Sequence, residues 1–165
     1  MLYDISQTAI PWDKMDDEFI RKPKVWKASG ISRFMFYMGT VSSIFDYVTF
    51  ALMYFLFAAN APAHQSLFQT GWFVEGLLSQ ILIVHFIRTR KIPFIQSCAA
   101  KPVIAMTTLI MIVGLVIPFT PAGAALKMTP LPMAYFPCLA AILICYCLLT
   151  QVVKRLFIRK YGHWL

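Results

Sequence analysis

The sequence predicts an all-α polytopic membrane protein, four transmembrane helices preceded by a short helical remnant. Three observations predict it. Four apolar runs, residues 34–59, 67–87, 102–119 and 133–153, approach or exceed the roughly 20 residues an α-helix needs to cross a hydrocarbon core. Only Asp46 and Glu75 interrupt those runs with an acid, and no lysine or arginine does. The connecting segments alternate between lysine/arginine-rich and nearly uncharged.

Composition agrees. The chain is 59% hydrophobic and 13% charged, where an ordinary soluble domain is about 25% charged. A very apolar soluble helical core is the competing reading. Core helices seldom run so long without a polar face, so four spans are preferred.

Residues 1–10 are semi-apolar and too short to span, and Pro11 interrupts a helix there. They read as the end of a transmembrane helix whose beginning is absent. Residues 11–33 read as a loop, opening Trp12-Asp13-Lys14 and broken by Pro23 and Gly30. Residues 34–165 read as one four-helix membrane domain. A neutral loop with Pro62 joins the first two spans. A basic turn containing Pro93 joins the second and third, and Pro102 suits the first turn of the third span, where a missing N–H costs little. A Pro/Gly-rich loop with Pro121, Gly123 and Pro130 leads to the fourth span. Trp72, Tyr135, Phe136 and Trp164 sit near span ends, as interfacial aromatics do.

The formal net charge is +8, and of the 15 basic residues only Lys127 falls outside three segments: before the first span, between the second and third, and after the fourth. The positive-inside rule therefore places the C-terminus and the 11–33 loop in the cytoplasm. The charge reads as orientation and contact with anionic lipid, not as a nucleic-acid patch.

An aspartate at mid-bilayer costs about 2.5–3.5 kcal/mol on insertion scales, so each polar intrusion needs a reason. Asp46 shares a helical face with Ser42, Ser43 and Thr49, a polar stripe suited to hydrogen bonding between helices; contact with a transported ion is the other reading. Glu75 shares its face with Ser79, and Gly71 and Gly76 would let a neighbouring helix approach. Its oxygens suit a hard cation such as magnesium, and they suit a structural anchor equally. His85 reads as an interfacial histidine rather than a proton relay. Asp4, with Gln7 and Thr8, makes a third short polar face. Cys98, Cys138, Cys145 and Cys147 form no Cys-x-x-Cys pair and read as small apolar filler. No nucleophile constellation, phosphate loop or His/Cys metal cluster is visible, so no catalytic residue is expected.

Met-Leu-Tyr-Asp-Ile-Ser-Gln at residues 1–7 and Pro-Trp-Asp-Lys-Met-Asp at 11–16 resemble bacterial magnesium-transporting P-type ATPases. The resemblance continues through Ser-Ser-Ile-Phe-Asp at 42–46, Phe-Gln-Thr-Gly-Trp-Phe-Val-Glu-Gly-Leu-Leu-Ser-Gln at 68–80, and His-Phe-Ile-Arg-Thr-Arg-Lys-Ile-Pro-Phe at 85–94. Leu131-Pro132 and Tyr135-Phe136-Pro137 complete it. Each word alone is weak; in this order they are specific.

The resemblance implies that residues 1–10 end the sixth transmembrane helix and that the four spans are helices seven to ten. It implies magnesium as the transported ion in the bacterial inner membrane. Asp4 matches a cation-ligating aspartate of the sixth helix, and Glu75 matches the position of an acidic residue on the eighth. Asp46 has no such precedent and stays mainly structural. The 11–33 loop would relay movement from the phosphorylation domain. The family's Asp-Lys-Thr-Gly-Thr phosphorylation motif, nucleotide domain and actuator domain are not in this sequence. ATP would therefore act only through a missing N-terminal part, supplied in cis or in trans, and the chain alone is expected to be inactive. The alternative is a stand-alone four-helix scaffold, regulatory subunit or remnant without transport.

Overall fold

The computed structural model describes residues 2–13, 28–89, 92–93 and 96–161. Most of the 11–33 loop, including Lys14, Asp16, Asp17, Glu18 and the basic run to Lys27, lies outside the described residues, as do Arg90, Lys91 and Trp164.

A short helix α1 (Leu2–Gln7) is followed by a 3₁₀ turn at Ile10–Trp12. Four long helices come next: α2 (Ala28–Ala51), α3 (Gln65–Ile87), α4 (Lys101–Val116) and, after the short α5 (Pro121–Ala125), α6 (Tyr135–Tyr161). With their flanking turns, four helical segments are long and apolar enough to cross a membrane. The four expected spans are all present. α2 begins inside the segment read as loop, with Gly30 in its first turn rather than its interior. α6 continues past the expected end of the fourth span.

α3 is the hub. It packs on α2 and α6 on one side and on α4 and α1 on the other. The buried face of α2 runs Phe34, Met38, Val41, Phe45, Thr49, Met53, at steps of three and four. Its opposite face exposes Phe36, Tyr47 and Phe55. Large apolar side chains on the outside of a bundle suit lipid as solvent.

Small residues set the helix separations. A methyl at Gly71 would come within 2.7 Å of Met53 Sδ, and one at Gly114 would collide with Leu77. These positions bring α3 close to α2 and to α4. Gly76, expected to do the same, faces open space.

α2 ends in a π-helical turn, Leu52–Leu56, closed by Ala59 N–H donating to Met53 O at 2.9 Å with Ala58 left-handed at φ 48°. At the same end of the bundle the Pro/Gly-rich loop is pinned to α3. Thr129 donates its N–H to Thr70 Oγ1 at 3.1 Å and its hydroxyl to Ser66 Oγ at 2.8 Å, and Ser66 Oγ donates to Lys127 O.

Candidate functional site

Glu75 lies near the middle of α3 and is 1% exposed. Burial follows from its place on the face of α3 turned to α2 and α6. Four residues earlier, Gly71 O accepts from the buried Tyr135 hydroxyl of α6 at 2.7 Å. Three residues earlier, Trp72 Nε1 donates to Asp46 Oδ1 of α2 at 2.9 Å. Glu75 is within electrostatic range of Asp46 and of Tyr135 and Tyr146. Its Oε2 has no hydrogen-bond partner among the described residues. A buried carboxylate oxygen without a donor is costly, and a proton, water or cation would offset that cost.

The expected polar stripe of α2 does not act as one unit. Ser42 Oγ pairs with Tyr146 Oη at 3.3 Å, and Asp46 accepts the Trp72 indole. Thr49 is fully buried, and its hydroxyl has no partner among the described residues. Ser43 is exposed. The residues are near neighbours along one helix, but its rotation aims them at α3, at α6 and outward.

Asp4 is exposed on α1. Leu2 and Tyr3 of that helix pack against a cluster formed by Leu77 and Ile81 of α3 and Ile110 of α4. Leu77 stands about 200° around α3 from Glu75 at 100° per residue. The two candidate acids are therefore on opposite sides of α3. Among the described residues no group of three or more His, Cys, Asp or Glu side chains could hold a metal ion.

Three functional-looking features escaped sequence reasoning. Lys154, expected in the basic tail, is fully buried and donates to Phe86 O of α3 at 2.9 Å. His85, expected at the interface, is 4% exposed and pairs through Nε2 with Thr107 Oγ1 of α4 at 3.2 Å. Asp13 forms an ion pair with Arg88 at 2.6 Å. The only signal for the lysine was its position at the edge of an apolar run. The Asp13–Arg88 pair had none, because the partners are far apart in sequence. None of the four cysteines is in a disulfide; Cys98 and Cys145 are exposed, so only Cys138 and Cys147 are partly covered filler.

The family described as "Cation transporting ATPase, C-terminus" matches residues 1–156. A magnesium-transporting ATPase, P-type 1, of Salmonella typhimurium strain LT2 is 57% identical over 164 residues, covering 99% of this chain and 18% of that relative. The protein of the same description in Escherichia coli K12 is 56% identical over 162 residues, covering 98% of this chain and 18% of its own length. The chain thus spans less than a fifth of the curated relatives it matches.

Proposed function

Because this chain belongs to the cation-transporting ATPase C-terminal family, we propose that it is the C-terminal membrane domain of a P-type pump that moves magnesium across the bacterial inner membrane at the expense of ATP. The 57% identity over 99% of the chain to a protein described as a magnesium-transporting ATPase carries this reading. The chain supports the transport helices and lines part of the ion route. The phosphorylation and nucleotide-binding machinery belongs to the remainder of the pump, which is its partner. On this reading the C-terminus and the 11–33 loop are cytoplasmic.

Glu75 and Asp4 are the residues we assign to the magnesium route. The unpartnered Oε2 of Glu75 supports its assignment; Asp4 rests on its motif. Standing on opposite sides of α3, they would meet the ion at separate points of the route, each completed by helices outside this chain, which suits an ion that keeps several waters. Anionic lipid would meet the basic end. There Arg33 and Lys160 each lie 5.4 Å from the Tyr161 ring, with no carboxylate partner among the described residues.

Complementation tests the function. Cells unable to import magnesium should grow when this chain is expressed with the remainder of the pump and should fail with the chain alone. Rescue by the chain alone would refute the division of labour.

A further inference from the structure

Asp13 joins its own segment to two others at the basic end of the bundle. Its Oδ2 accepts from Arg88 Nε at 2.6 Å. Its Oδ1 accepts from Ala100 N–H at 2.8 Å and from Arg88 Nη2 at 3.3 Å. Arg88 Nη2 also donates to Cys98 O at 3.3 Å. Both charged side chains are only 10% exposed. A two-point guanidinium–carboxylate contact fixes orientation as well as distance.

The placement is complementary to the helix ends. Arg88 follows the last residue of α3, where a cation meets the negative end of the helix dipole. Ala100 precedes the first residue of α4, and its amide is one of the donors a helix start leaves unpaired. Asp13 supplies both the acceptor for that amide and the negative charge favoured there.

Asp13 is also tied without a break to α1. Thr8 N–H donates to Ile5 O at 3.2 Å, Trp12 N–H to Ala9 O at 3.1 Å and Asp13 N–H to Ile10 O at 2.9 Å. Ala9 is buried with Ala99, just before α4, and Val103 of α4.

We propose that Asp13 is a positioning residue which, through Arg88 and the Ala100 amide, sets the axial register of α1 against α3 and α4. On the reading that Asp4 and Glu75 serve the magnesium route, this contact also sets the relative depth of those two acids. Asp13→Asn keeps an oxygen for the Ala100 amide and loses the ion pair. Asp13→Ala loses both. Arg88→Lys keeps the charge and loses the fork.

Spin labels on Thr8→Cys and Gln80→Cys, in the 165-residue chain with its four native cysteines changed to serine, would report the register in lipid vesicles. The parent should give one narrow distance. Asp13→Ala should shift or broaden it by several ångström, with Asp13→Asn and Arg88→Lys between. An unchanged distribution in Asp13→Ala overturns the positioning role, and if that variant does not insert, an unchanged distribution in both milder variants overturns it equally. The functional clause is read separately in the complete pump, where Asp13→Asn should raise the half-activating magnesium concentration about fivefold, the low end of coupling between separated sites. A changed distance with an unshifted magnesium requirement upholds the positioning role and removes Asp4 and Glu75 as ion residues.

Discussion

Lys154 of α6 donates from its fully buried ammonium to the Phe86 carbonyl of α3 at 2.9 Å. The acceptor is next to the last residue of α3, so the cation meets carbonyls that the helix end leaves unpaired. Replacing Lys154 by methionine keeps much of the volume and removes the donor. The expected loss is about 1–3 kcal/mol, the cost of an unsatisfied buried polar group. Reversible denaturation of the chain in mixed micelles measures it, and a loss near zero would show that Lys154 reaches water instead.

Gly71 is held on two sides, by the Tyr135 hydroxyl at 2.7 Å and by Met53 against its Cα. Tyr135→Phe removes one hydrogen bond and should cost about 0.5–1.5 kcal/mol. Gly71→Ala forces Met53 aside and should cost about 1–3 kcal/mol. The same unfolding assay ranks them, and an alanine milder than the phenylalanine would contradict the close α2–α3 approach.

Asp46 and Trp72 make a different test, because the acceptor can survive a change of charge. Asp46→Asn retains Oδ1 for the indole, which lies 2.9 Å away. Trp72 emission should therefore be close to that of the parent in Asp46→Asn and altered in Asp46→Ala. A chain whose other three tryptophans are phenylalanine isolates the signal. Equal spectra in all three proteins would show that the pair does not persist in lipid.

Glu75→Gln is nearly isosteric and leaves the neighbours of a buried side chain in place. In the complete pump it should lower magnesium-stimulated ATP hydrolysis at least about tenfold, a loss of ~1.4 kcal/mol in transition-state terms, with expression unchanged. Asp4→Asn should act in the same direction. Unchanged magnesium stimulation in both variants would remove them from the ion route.

Hydropathy and loop charge alone locate the four spans, because crossing a bilayer is a local requirement that about 20 consecutive residues meet by themselves. Pro102 in the first turn of α4 and the nearly uncharged loops at one end are legible for the same reason. The consecutive words around Glu75 and at residues 1–16 also sufficed to indicate the family that matches residues 1–156.

Only the tertiary structure decided where each polar group points. Asp4 and Glu75 stand on opposite sides of α3, the stripe from Ser42 to Thr49 divides among three directions, and Lys154 turns inward although its basic neighbours Arg155 and Arg159 are exposed. A helix's rotation about its own axis depends on side chains supplied by other helices, such as Met53 for Gly71 and Asp13 for Arg88. Membrane insertion depends on the apolar content summed along each segment, whereas pairing depends on contacts between residues distant in the chain.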